Sequence, residues 1–138
     1  MKITVISAEE TWPVRHLAMW PDQPTDFVKL AKDPEGYHYG LFANSELVSV
    51  VSFFRIEDTL QFRKFATLPI EQGKGYGTHL LNFALDEQCT PDIRNVWCNA
   101  RADKIDYYKR FGLNTTDKTF VKSGISYVIM EKNLSFNE

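Results

Sequence analysis

The spacing of apolar and polar positions changes several times along this chain, and each change marks an element. Ile3, Val5 and Ser7 begin a short strand with alternating faces. Ser7 also stands where it can cap a helix, with Glu10 three residues on to close a capping box. Along that helix Trp12, His16, Leu17 and Trp20 recur at three-to-four spacing and predict one side of it. Pro13 fits near the first turn and Pro21 ends the segment. From Asp22 to Tyr37 the chain is polar and turn-rich (PDQPTDF, KDPEG), and predicts no more than a short helical or extended piece around Phe27 to Leu30.

Period-two patterning then takes over. His38 to Phe42 and Glu46 to Arg55 read as strands joined at Asn44-Ser45, and the run LVSVVSFF marks the second as central. Glu57-Asp58 makes the next turn, and Leu60 to Thr67 is a third strand. A loop rich in glycine leads into a helix from about Gly77 to Gln88, with Leu80, Leu81, Ala84 and Leu85 on one stripe. Thr90-Pro91-Asp92 breaks it; Arg94 to Asn99 is a strand and Asp103 to Arg110 a helix, with Gly112 suited to a left-handed end. Thr115 to Val121 and Ile125 to Lys132 close the pattern as a strand pair around Ser123-Gly124, and the tail NLSFNE is expected to fray. The order β, α, β-meander, α, β, α, β, β predicts an α+β or mixed α/β sheet, antiparallel at first, with helices packed on it.

Length and composition narrow the function classes. The 138 residues predict one domain, 1–138, large enough for a real core. A net charge of -2 without a basic block argues against nucleic-acid partners. No apolar run approaches the length of a membrane span, and the start MKITVISAEE does not read as a signal peptide, so a cytoplasmic location is expected. Cys89 and Cys98 fit neither a disulfide framework nor a metal-ligand spacing, and are expected as reduced, buried thiols. No metal site is expected.

The chemistry is concentrated in Leu60 to Leu85, LQFRKFATLPIEQGKGYGTHLLNFAL. Strand, glycine loop and helix start form the arrangement in which backbone N–H groups converge on an anion. The spacing of Gly73, Gly75 and Gly77 does not make a P-loop, because Gly73-Lys74 is followed by glycine. Nor does it make a dinucleotide fingerprint, since the next strand ends in Cys98-Asn99 instead of an acid. A plain glycine turn stays open on the loop alone.

Gln72-Gly73-Lys74-Gly75-Tyr76-Gly77 resembles the Q/R-x-x-G-x-G/A signature of the GNAT superfamily of N-acetyltransferases, and KFATLPIEQGKGYGTHLL is similar to that superfamily's strand–proline–loop–helix segment. Downstream, WCNARADKIDYYKRFGL resembles its N-A-x5-F-Y-x-x-x-G-F pattern, with Tyr107-Tyr108 for Phe-Tyr and Leu113 for the last Phe. The likeness covers Phe54 to Leu113 well and the N-terminal third only in topology and a few residues (RHLAMW, YHYGLF). It implies a central, mostly antiparallel twisted sheet of six to seven strands with a splayed strand pair, flanked by three to four helices.

It also implies acetyl-CoA as cofactor and a primary amine of a metabolite or peptide as acceptor. The amides from Gln72 to Thr78, including Lys74 and Tyr76, would meet the pyrophosphate, and Phe65, Ala66 and Thr67 would pair with the pantetheine arm like an added strand. Asn99 matches a position that contacts the arm. A backbone N–H near Ala66 would face the developing oxyanion, and Tyr108 stands at the general-acid position. Glu57, Glu71 and His38 are the candidate bases, none preferred. Arg15, His16, Trp20 and Arg63 are expected to line or approach the acceptor site; Arg15 suits an acceptor carboxylate, whereas Asp22 and Asp26 suit a cationic amine. The same segment also fits use of another acyl-CoA, or a non-catalytic module that binds CoA. A homodimer is the assembly the superfamily often adopts.

Overall fold

The computed structural model describes residues 1–134; the expectation of a frayed tail lies, from residue 135 on, outside the described residues. Its strands are β1 (Lys2–Ile6), β2 (Tyr37–Ala43), β3 (Glu46–Ile56), β4 (Thr59–Thr67), β5 (Asn95–Arg101), β6 (Asn114–Lys122) and β7 (Ile125–Asn133). Its helices are α1 (Ala8–Met19), α2 (Tyr76–Gln88) and α3 (Ile105–Lys109). The strands form a seven-stranded sheet in the order β1-β2-β3-β4-β5-β7-β6. The pairs β1–β2, β2–β3, β5–β7 and β6–β7 are antiparallel, while β4 and β5 run parallel over Thr59–Gln61 and Asn95–Trp97. This is the mixed α+β sheet that the element order predicts.

The chain divides into two compact units, one of Met1–Phe54 with Arg63–Gln88 and the other of Arg55–Phe62 with the chain from Cys89 onward. In the first, α1 and α2 cover opposite faces of the strands. Val14 of α1 packs with Ile6, Val50 and Ala66. On the other face Tyr39 meets the Phe83 ring edge-on at 6.4 Å and its hydroxyl accepts from Gln88 Nε2 at 2.9 Å. Leu80, Leu81 and Ala84 of α2 are buried, as their spacing predicts.

Local signals explain where elements begin and turn. Ser7 Oγ accepts from Glu10 N at 3.2 Å while Ser7 N donates to Glu10 Oε1 at 2.8 Å, which completes the capping box at α1. Asn44 and Ser45 both take positive φ, 53° and 65°, the geometry of a two-residue hairpin turn whose twist suits β2 and β3. Gly112, at φ 88°, stops the segment after α3.

Two segments differ from expectation. The buried residues of α1 are Thr11, Val14 and Arg15, not the Trp12–His16–Leu17 side, and Leu17 is exposed. The apolar spacing misleads here because a charged residue, Arg15, occupies the buried stripe. The predicted Asp103–Arg110 helix is a 3₁₀ turn, Ala102–Lys104, followed by the short α3; Lys104 provides no side-chain cap to extend it. Residues 22–37 hold two 3₁₀ turns, Thr25–Val28 and Asp33–Glu35.

Candidate active site

The glycine turn lies between β4 and α2. Gly73 and Gly75 have φ of 82° and 85°, values at which a side chain is strained. Nothing lies within 4 Å of a Cβ built on Gly73, so the turn is open on that side. A Cβ on Gly77 would stand 3.1 Å from the Phe65 ring and 3.2 Å from Thr67 Oγ1, so glycine there lets the start of α2 close onto the end of β4. His79 N donates to Gly75 O at 3.1 Å as an early bond of the helix. The first amides of any helix fall outside its own ladder and carry the positive end of its dipole, which suits them to an anion. Gln72 Nε2 donates to Thr67 O at 3.0 Å and ties the turn back to the strand. Lys74 pairs with Glu71 at 2.9 Å, so this candidate base already shares its charge. Replacing Gly75 with alanine is expected to lower the melting midpoint by the equivalent of about 1–2 kcal/mol, read by thermal denaturation. A midpoint equal to the parent's would contradict a required left-handed turn.

A feature of β4 is not legible in the sequence. Lys64 takes φ 54° in mid-strand, a left-handed backbone conformation that interrupts the extended chain. Ala66 packs with Val14 on the α1 face. Phe65 and Thr67 lie on the α2 face, against Gly77, where Thr67 Oγ1 stands 2.8 Å from Ser49 Oγ.

Beneath the α1 face lies a buried polar network that sequence reasoning missed. Arg15 is fully buried, and its guanidinium meets Asp33 through two bonds of 2.9 Å. It also donates to Val28 O at 3.0 Å and Ser52 Oγ at 2.9 Å, while its Nε has no partner among the described residues. Trp12 Nε1 and Leu30 N each donate to Asp33 Oδ2 at 3.0 Å. Burial acts to raise the Asp33 pKa, but these hydrogen bonds and the Arg15 charge outweigh it and hold it below the usual range. Arg15 is therefore committed to Asp33, which corrects its expected place as a lining residue or binder of an acceptor carboxylate. His38 is buried as well, with Nδ1 2.7 Å from Ser52 Oγ and Nε2 2.8 Å from Asp33 O. A ring that donates from Nε2 to this carbonyl and accepts at Nδ1 from the serine hydroxyl satisfies every atom, and no lone pair is left for a base.

Near α1, His16 Nε2 lies 2.7 Å from Gln23 O, and Trp20 packs edge-on against Phe27 at 5.2 Å. Asp26 is exposed and pairs with Lys29 at 2.8 Å, which leaves less of its charge for a cationic acceptor. Asp22 is exposed in the turn that follows α1. Arg63 is half-buried; burial and the neighbouring Arg15 charge both lower its pKa.

In the second unit, Tyr108 of α3 is half-buried, with its ring 5.8 Å from that of Phe62 and 5.4 Å from that of Tyr107. Burial, then the neighbouring Cys98 and Tyr107, push its hydroxyl well above the ordinary tyrosine pKa. Tyr107 stacks edge-on with Phe111 at 5.3 Å, in keeping with a packing role. Cys98 is buried, which pushes its thiol up to about 12, whereas Cys89 is only partly covered. Asn99 is exposed on β5, opposite Ile129 of β7, and Glu57 is exposed in the turn before β4. Among the described residues no cluster of His, Cys, Asp and Glu could hold a metal ion, and no helix is long and apolar enough to cross a membrane.

Comparison with known proteins bears on the whole chain. An uncharacterized N-acetyltransferase of Bacillus subtilis, YitI, is 29% identical over 144 residues, covering 97% of each chain. A Lactobacillus plantarum protein classed as an N-acetyltransferase shares the fold at a TM-score of 0.83 with 18% identity, over 98% of this chain and 100% of that one. A GNAT family acetyltransferase of Elizabethkingia anophelis, solved with acetyl-CoA bound, gives a TM-score of 0.76 at 14% identity, over 96% of this chain and 97% of that one. The acetyltransferase (GNAT) domain family matches residues 18–134. That match spans most of the chain, both motif segments included, and the chain therefore belongs to the GNAT family as an N-acetyltransferase, one of the acyltransferases.

Proposed function

We propose that this protein transfers the acetyl group of acetyl-CoA to a primary amine of a small metabolite or peptide by direct attack of the amine. The observation that carries the cofactor is the glycine turn, with Gly73 and Gly75 at positive φ and Gly77 fitted against Phe65 and Thr67 at the start of α2. The acetyl-CoA bound to the Elizabethkingia relative supports the same reading.

Acetyl-CoA supplies an activated acetyl group as a thioester. The amides from Gln72 to Thr78 bind the pyrophosphate, helped by the helix dipole, with Lys74 and Tyr76 at the rim of the turn. Phe65, Ala66 and Thr67 offer main-chain groups to the pantetheine arm, and the exposed Asn99 side chain offers it an amide. The N–H near Ala66 stabilises the charge that develops on the acetyl oxygen. Tyr108 holds a proton for the departing sulfur; its raised pKa keeps the phenol protonated through the neutral range, as a donor requires.

Acetyl-CoA that binds only the folded state must stabilise it, by about 2.7 kcal/mol at a hundred times its Kd. A thermal melt with and without acetyl-CoA is expected to show a rise of several degrees. No shift at millimolar acetyl-CoA would sink the cofactor assignment.

A further inference from the structure

Two serines stand in the apolar run of β3, and both are fully buried. Ser52 is spent on the α1 face, where its hydroxyl accepts from Arg15 and donates to His38. Ser49 lies on the opposite face, with Thr67. Its hydroxyl donates to Ala66 O at 3.2 Å and stands 2.8 Å from Thr67 Oγ1. Burying a hydroxyl costs free energy unless it is bonded, and valine suits such a strand position better. Both bonds of Ser49 go to one short stretch of β4, the stretch read above as the binding strand for the pantetheine arm and the acetyl group.

The proton count gives these bonds a direction. Ala66 O can only accept, so the single Ser49 proton goes to it and Thr67 Oγ1 donates to Ser49. The peptide between Ala66 and Thr67 is trans, which points its C=O and its N–H in opposite directions. Holding Ala66 O toward Ser49 therefore turns the Thr67 N–H away from it. β3 and β5 flank β4, and pairing with β5 ends at Gln61, so among the described residues no strand pairs with β4 at Thr67 on the side away from β3. The flanks of this peptide are fixed as well: Leu68 N donates to Val48 O at 2.9 Å, and Gln72 Nε2 to Thr67 O at 3.0 Å. Ser49 sets the tilt of the plane between them.

We propose that Ser49 is a positioning residue for acetyl transfer: through Ala66 O it aims the Thr67 N–H at the acetyl oxygen, where charge develops as the amine attacks. This rests on the acetyl-CoA-dependent reading above, and names the N–H together with the side chain that aims it.

The test is thiol release from acetyl-CoA over a panel of primary amines (amino acids, dipeptides and polyamines) in Ser49→Ala, Ser49→Thr and Ser52→Ala. Ser49→Ala is expected to lower kcat by roughly ten- to a hundredfold, somewhat less than outright loss of an oxyanion donor, and to leave the Kd for acetyl-CoA within about threefold of the parent's. Ser49→Thr keeps the hydroxyl and restores most of kcat. Ser52→Ala removes an equally buried hydroxyl from the other face of the same strand, and is expected to melt lower than the parent with kcat unchanged. Unchanged kcat in Ser49→Ala, a loss confined to acetyl-CoA affinity, or an equal loss of kcat in Ser52→Ala overturns the proposal.

A second readout needs no acceptor. The Thr67 amide proton resonance of the parent is expected to differ between the acetyl-CoA and CoA complexes, because only acetyl-CoA presents the carbonyl oxygen, and in Ser49→Ala that difference shrinks. Identical Thr67 resonances in the two parent complexes overturn the proposal as well. A melt with acetyl-CoA separates the two levels: no shift there defeats the cofactor reading itself, while a normal shift with any of those outcomes defeats only the role of Ser49.

Discussion

Tyr108→Phe is expected to slow acetyl transfer by about two to four orders of magnitude while leaving the melt shift produced by acetyl-CoA in place. The substitution removes one oxygen and keeps the ring that packs on Phe62 and Tyr107, so the second unit retains its contacts. What is lost is the proton for the sulfur. A thiolate leaving without one pays the full cost of its charge, because a thiol of pKa about 8.5 is only modestly acidic. Since the hydroxyl is raised by burial, its deprotonation lies above the ordinary tyrosine range, and kcat should show no alkaline decline from this group up to about pH 10. Thiol release followed against pH, for both forms, checks the two expectations together. Unchanged turnover with a good acceptor removes Tyr108 from the mechanism.

Stability should depend most sharply on Arg15 and Asp33. Replacing either alone strands the other charge in a buried setting, at a cost of about 3–5 kcal/mol. For a chain of this size that amounts to a drop in melting midpoint on the order of 10 °C. The double variant Arg15→Met with Asp33→Leu is expected to recover much of the loss, because apolar residues leave no charge stranded. The acid dependence has a definite sign. Asp33 has a lowered pKa in the fold, so its contribution is present above the unfolded carboxylate pKa and is lost as pH falls through the folded value. Below about pH 4 the parent should therefore lose stability faster than the double variant. Parallel curves for the two proteins would show that the pair does not govern acid stability.

The Arg15 network also shows what a linear reading can and cannot see. The meander, the glycine turn, α2 and the closing hairpin were legible because local chemistry decides them: alternation, paired turn residues and a left-handed glycine act over a few positions. Asn44-Ser45 and Gly112 take the conformations that their neighbours require. The α1 face was misread because Arg15 is made internal by partners 13, 18 and 37 positions away, Val28, Asp33 and Ser52. Nothing within the helix announces them. Asp33 sits in KDPEG, a segment that reads only as a turn, although its carboxylate organises the interior. Lys64 illustrates the other blind spot, since lysine carries no signal for a left-handed backbone. On the functional side, the glycine spacing and the position of Tyr108 were readable as motifs. Arg63 was readable only as a candidate for the acceptor side.

The irregular step at Lys64 bears on how such a protein can vary. Beyond it, Ala66 packs toward α1 while Phe65 and Thr67 meet Gly77 at the start of α2, so this stretch of β4 serves both faces. Deleting one residue there would turn every earlier side chain of the strand to the opposite face while Phe65 through Thr67 held their places. Length is therefore frozen here, and identity is free. Substitution ahead of Lys64 is the tolerated change, and insertion or deletion within the strand the costly one.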